Sequence, residues 1–194
     1  LDGFHRRANG ELVAAFTQDE TSAIVTESHR LGKKVVVHAR GREATLYAAR
    51  AGVDLIFHAY YLDDECLDAM LESGSAIGPT LTFPRNIIEF TQPGDPASRK
   101  GRVDDNVREY ATACANLRRA REAGVPMMTG TDSGFAVTPY GEWHAREIEI
   151  FVDELGFTPA QALRCATEVS ARFLAEDCSV GVLEAGRMGD LIAI

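Results

Sequence analysis

Four times in succession, a helix-like stretch of this chain ends on a glycine and gives way to a short apolar run. The runs are KKVVVHA (33–39), VDLIFHA (53–59), SAIGPTLTF (75–83) and VPMMTGTD (125–132), entered through Gly32, Gly52, Gly74 and Gly124. Near-continuous apolar strands are what a parallel sheet buried on both faces requires, and glycine past a helix end supplies the left-handed turn that stops the helix. The repetition selects a βα architecture, an α/β fold, over helical bundles and antiparallel sandwiches.

The intervening segments carry their own helix signals. Thr17 with Glu20 makes a capping-box pattern ahead of Ile24, Val25, Ser28 and Leu31. Further helices are expected over 43–51, from the cap candidate Asp63 to Gly74, and over about 104–124. After 132 the rhythm changes. A loop with Gly134, Pro139 and Gly141 leads to a helix over 143–155, and Thr158-Pro159-Ala160-Gln161 opens another with an N-cap, a proline at the first helical position and a capping-box partner. The tail has turn chemistry at 184–189 and ends on a strand-like apolar run, while the polar stretch 91–102 reads as an ordinary or lid-forming loop.

Three of the four runs close on a residue of metal-ligand type: His38, His58 and Asp132. In alternating βα folds the C-terminal strand ends gather on one rim, where the chemistry is kept. Neutral imidazole suits Zn²⁺ and similar borderline metals, and a carboxylate can both bind metal and move a proton. The remaining run, 75–83, ends without an evident ligand.

Composition sets the limits. With 194 residues, 45% of them hydrophobic, the chain can bury a substantial core. A net charge of −9 with only Lys33, Lys34 and Lys100 as lysines argues against nucleic acid or an anionic membrane as partner. No apolar stretch approaches the roughly 20 residues of a membrane span and no signal peptide is legible, which points to the cytoplasm. Cys66, Cys114, Cys165 and Cys178 form no CxxC pair and read as reduced packing residues.

Several of these stretches together resemble the amidohydrolase superfamily, in its prolidase-like and imidazolonepropionase-related branch. TQDETSAIVTESHRLGKKVVVH (17–38) resembles its fifth barrel strand with the helix before it, AGVDLIFHAYYLDDE the sixth strand, SAIGPTLTF the seventh and AGVPMMTGTDSG the eighth. LGFTPAQALRCATEVSARFLAEDCSVGVLEAGRMGDLIAI resembles the post-barrel helix and the return toward a small β-sandwich. The resemblance implies the C-terminal half of a TIM-like (β/α)₈ barrel: residues 1–175 as the partial barrel and 176–194 as the return segment. A complete barrel needs eight strands and about 250 residues, so a longer parent polypeptide is expected.

The same resemblance implies that His38 and His58 are metal ligands and that Asp132 both binds metal and serves as general acid/base, in hydrolysis of a C–N bond by metal-activated water. It implies one or two divalent ions, Zn²⁺ first among metals whose ligand preferences overlap. The substrate would be a small molecule such as a dipeptide or cyclic amide. The family also takes a His-x-His pair and, in most two-metal members, a carboxylated lysine; this chain has no His-x-His and no lysine at a strand end.

Other residues are weighed beside these. Tyr60 and Tyr61 are placed to hydrogen-bond a substrate carbonyl, Arg40 and Arg42 to receive a carboxylate, and His144 to orient substrate. Aromatic packing, surface solvation and an ordinary helix position are the plainer readings of each. His29 reads as solvated helix surface and His5 as a loop residue. Two further functions compete with the hydrolase. One is a non-catalytic half-barrel without a competent metal site; the other is a one-metal heterocycle deaminase, which would need Glu43 beside His38. A half-barrel would expose strand edges and an inner face built from residues such as Val35, Val37, Leu55 and Phe57, which predicts self-association.

Overall fold

A computed structural model describes residues 1–92, 94, 102–135, 137–174 and 179–193. Its centre is a parallel three-stranded sheet in the order β3 (Val36–Ala39), β4 (Leu55–His58), β5 (Ala76–Gly78). Two βα crossovers connect them. They run through α2 (Arg42–Ala51) and α3 (Asp64–Ser73). Before the sheet come an antiparallel hairpin, β1 (Asp2–Arg6) with β2 (Leu12–Ala14), and α1 (Gln18–Arg30). After it come α4 (Thr82–Phe90), α5 (Arg102–Ala123), α6 (His144–Asp153) and α7 (Pro159–Arg164). A π-helical turn over Cys165–Val169 continues α7 into α8 (Ser170–Leu174).

Local chemistry explains the helix ends. Thr17 and Glu20 close a reciprocal capping box on α1, as Thr158 and Gln161 do on α7, each worth about 1 kcal/mol. Asp63 accepts from the Cys66 amide at the start of α3, and Gly52 and Gly74 end α2 and α3 in left-handed conformation. Helix α2 packs between α1 and α3 and against β3 and β4, in a core that includes Ala39, Ala48, Ile56, Met70 and Ile77. The cysteines Cys66, Cys114 and Cys165 are free and buried, while Cys178 lies outside the described residues.

Four expectations change. His5, read from the sequence as a loop residue, lies within β1 of the hairpin. The third run stops as a strand at Gly78, because Pro79 cannot donate to a ladder, and Thr82 to Phe83 open α4 instead. The fourth run is reduced to one bridge between Ile77 and Met127, held by Ile77 N to Pro126 O (2.9 Å) and Met128 N to Ile77 O (2.9 Å). Residues 189–193 form no strand, since no described segment pairs with them. The expected boundary at 175–176 and most of the 91–102 loop lie outside the described residues.

The sheet register also reassigns its faces. Val36 pairs with Leu55 and His38 with Phe57, so Val36 and His38, rather than Val35 and Val37, share a face with Leu55 and Phe57. Val35 and Ala39 point the other way, into the helix-covered core. Val36 is 47% exposed, which leaves part of the opposite face open.

Candidate functional site

The pairing that sets these faces also assigns His38 and His58 to opposite ones, because the partner of His58 is Ala39. Their rings nevertheless meet, with His58 Nε2 2.8 Å from His38 Nδ1 and ring centroids 4.4 Å apart. The backbone accounts for it. His58 (φ 77°) and Ala59 (φ 52°) are left-handed, which takes the His58 side chain out of the strand alternation. The positive-φ non-glycine residues among those described are His58, Ala59, Thr80 and Asp132, and His58 and Asp132 are two of the three run-end residues singled out in the sequence. Each costs of order 1–3 kcal/mol and persists only where its surroundings hold it.

Each imidazole is fixed from behind. Thr80 Oγ1 donates to Pro79 O (2.7 Å), so toward His58 Nδ1, at 2.5 Å, the hydroxyl acts as acceptor. This places the His58 proton on Nδ1 and leaves the Nε2 lone pair facing His38. His38 in turn meets Asp2 Oδ1 through Nε2 at 3.1 Å. The Asp2 side chain is fully buried, and its other oxygen accepts from the Arg40 and Gly41 amides (2.9 and 2.5 Å) at the start of α2. Gly41 makes that approach possible, since a Cβ there would stand 2.8 Å from Leu12 Cβ on the hairpin.

Burial dominates the electrostatics. His58, 6% exposed, is lowered to about 3 by desolvation, with the fields of His38 and Arg40 acting in the same direction. Burial works to raise the Asp2 carboxyl, but the His38 contact and the two amides outweigh it and leave it below its ordinary value. Burial raises Asp132 against the opposing fields of His38 and Arg40. Tyr60 stays a phenol, raised by complete burial, and donates to Thr80 O (3.1 Å).

The other expected site residues are distributed differently. Asp132 is half-buried and within the electrostatic reach of His38, yet among the described residues no three His, Cys, Asp or Glu side chains form a metal-holding group. Arg40 pairs with Glu109 at 3.3 Å, and Arg42 with Asp63 (2.7 Å) and Glu65. Tyr61 turns toward the hairpin, lining a cavity with Arg6, Arg7 and Arg42, and His144 is exposed on the first turn of α6. His29 pairs with Asp54 at 2.8 Å rather than facing solvent alone. Glu43, which the deaminase reading needs beside His38, is held by Arg7 (3.1 Å), the Ala14 amide (3.3 Å) and Tyr47 Oη (3.3 Å).

Three contributors had no sequence signal strong enough to single them out: Asp2, Thr80 and Glu147. Glu147, on α6, is fully buried and accepts from Leu81 N (3.0 Å), Thr82 N (2.7 Å) and Thr82 Oγ1 (2.6 Å), capping α4 from across the fold. Burial pushes its carboxyl up to about 7 despite those donors. Its one legible sign is an acid on the apolar face of α6, three and four residues before Ile150 and Phe151.

The residue types suit a borderline divalent cation: His38 Nδ1 and His58 Nε2 lie 2.8 Å apart, and each distal nitrogen meets a hydroxyl or carboxylate, the usual support of metal-binding histidine. Comparison with known proteins identifies the family. The model of the Amidohydrolase family matches residues 9–194. An uncharacterised protein of Mycobacterium tuberculosis is 31% identical over 171 residues, covering 87% of this chain and 44% of that protein. Ochratoxinase of Aspergillus niger is 28% identical over 197 residues, 99% of this chain and 38% of the enzyme. The crystal structure of a Xaa-Pro dipeptidase with methionine in its active site superposes with a TM-score of 0.76 at 29% identity, over 90% of this chain and 42% of that one. The chain thus spans less than half the length of each, consistent with a partial barrel. Among the described residues, no helix is long and apolar enough to cross a membrane.

Proposed function

The chain belongs to the amidohydrolase family, and from that premise we propose that it carries the fifth- to eighth-strand part of a metal-dependent hydrolase that cleaves a C–N bond in a dipeptide or cyclic amide. The observation that carries the reading is the convergence of His38 Nδ1 and His58 Nε2 from opposite strand faces, each oriented from behind by Asp2 or Thr80. Likeness to a Xaa-Pro dipeptidase and to ochratoxinase supports the amide-type substrate.

In this reading His38, His58 and Asp132 would hold a Zn²⁺-like ion. When bound, the ion supplies Lewis acidity toward the scissile carbonyl and toward water. Asp132 takes the proton of the attacking water on its carboxylate and passes it to the leaving nitrogen, and its raised pKa suits a group that must hold that proton between the two steps. Tyr60 braces Thr80 rather than touching substrate. Arg40, already paired with Glu109, contributes positive field at Asp132. Domain assignment follows the same reading, with residues 1–175 as the barrel portion and the rest leading out of it. The cytoplasm remains the proposed compartment.

The test compares two proteins. A polypeptide extended to the length of the relatives should hydrolyse Xaa-Pro or Xaa-Arg dipeptides with Zn²⁺, and Asp132→Asn should abolish turnover while leaving much of the metal bound. The 194-residue chain alone should hold well under one equivalent and show no turnover, because two imidazoles do not close a site. Unimpaired hydrolysis by the extended Asp132→Asn protein would overturn the assignment of the acid, and a chain that holds no Zn²⁺ at any length would favour the non-catalytic half-barrel.

A further inference from the structure

Thr80 is a β-branched residue held at φ 55°, a conformation that its own chemistry disfavours. Its hydroxyl is nevertheless the group that fixes which nitrogen of His58 carries the proton. Something must hold the backbone there. The residues immediately after Thr80 are bonded by a single side chain that arrives from another helix: Glu147 takes the Leu81 amide, the Thr82 amide and the Thr82 hydroxyl. Tyr60 braces the same turn from the opposite side through Thr80 O.

We propose that Glu147 is a positioning residue for the site: by clamping the Leu81–Thr82 turn it keeps Thr80 in its left-handed conformation, and through Thr80 it sets the ring orientation and tautomer of His58. The clamp has the features the task needs. Both carboxylate oxygens are engaged, the residue is fully buried, and the donors are the free amides at the start of α4, where a negative charge is favoured. Losing it leaves two buried amides without partners next to a strained threonine, and the turn relaxes toward an ordinary backbone. Thr80 Oγ1 then leaves His58 Nδ1, both tautomers become available, and the Nε2 lone pair is offered only part of the time. This inference rests on the hydrolase reading only for why the His58 orientation matters; the linkage itself concerns this chain alone.

The experiment is long-range ¹H–¹⁵N spectroscopy of the His58 ring in the full chain, with Zn²⁺ affinity measured by competition against a chromophoric chelator. Glu147→Gln removes one acceptor site, and Thr82→Val removes only the hydroxyl donor. Ile150→Val, on the same helix but away from the turn, is the packing control. The proposal expects a single Nδ1–H tautomer in the wild type and a mixture in Glu147→Gln. It expects a smaller change of the same kind in Thr82→Val and the wild-type pattern in Ile150→Val. Zn²⁺ binding by Glu147→Gln should weaken by about tenfold, the lower end of what loss of an outer partner costs. An unchanged His58 spectrum in both turn variants, or an equal change in Ile150→Val, overturns it. Weak Zn²⁺ binding by the wild-type chain is what the hydrolase reading expects at this length, and the ring spectrum reads the linkage without metal.

Discussion

Phe57 lies across Gly78 so closely that a Cβ at Gly78 would stand 2.6 Å from the ring. The two residues belong to adjacent strands and share the face that carries His38, so their contact forms the floor beneath the imidazole pair. Gly78→Ala should therefore cost about 1–3 kcal/mol through forced displacement of the Phe57 ring. Urea denaturation at equilibrium checks this, and an unchanged midpoint would show that the floor is loose.

Thr80→Val keeps the shape of the side chain and removes the acceptor for His58 Nδ1–H. A buried donor left without a partner costs about 1–3 kcal/mol. Thr80→Ser should retain most of the stability, and a Thr80→Ser loss equal to that of Thr80→Val would place the cost in packing rather than in the hydrogen bond.

Two buried groups give the metal-free protein opposing pH dependences. His58, lowered from 6.5 to about 3, is neutral in the folded state while the unfolded chain takes up a proton, so its contribution is complete above 6.5 and is lost as pH falls toward 3. Glu147, raised from 4.5 to about 7, does the reverse: its contribution is complete below 4.5 and is lost as pH rises through 7. Each acts at about 1.4 kcal/mol per pH unit within its window. Stability should therefore climb from pH 3 to 4.5 and stay nearly level to 6.5. In Glu147→Gln the level stretch should become a rise with pH. Unfolding free energies measured across the series decide it, and a variant as flat as the wild type would refute the compensation.

The helix ends and the strand-end histidines were legible because their causes are local. Thr17 with Glu20, Thr158 with Gln161, and Gly52 and Gly74 each act within a few residues of the boundary they set. The start of α4 was not, since Leu81, Thr82 and Phe83 continue an apolar run equally well as strand, and the choice is made by Pro79 and by a carboxylate 65 residues away. Asp2 escaped for a similar reason: the hairpin that delivers it has strands of only five and three residues, with little alternation to read.

Asp2 meets His38 at 3.1 Å, the contact that on the hydrolase reading would make it an outer-shell carboxylate. Asp2→Asn should weaken Zn²⁺ binding about ten- to a hundredfold relative to the wild-type chain. Competition titration measures the ratio, and equal affinities would remove Asp2 from the site.

The open face of the sheet should drive association. β3 is an edge strand in the order β3-β4-β5, and Val36 is exposed there, with Phe16 and Ile24 also exposed on the same side of the chain's apolar surface. Sedimentation at tens of micromolar should reveal oligomers that Val36→Lys diminishes. A wild type that sediments as a monomer would contradict this.

The two imidazoles differ in access: the His38 side chain is about half exposed, at 48%, whereas His58 is 6% exposed and braced by Thr80. On the hydrolase reading, an arriving ion would meet His38 before His58 and would depart past it. Substitutions at His38 should act first on the rate of loading and release, while those at His58 govern how long the ion dwells, so that one pair of ligands separates the kinetics of the site from its equilibrium.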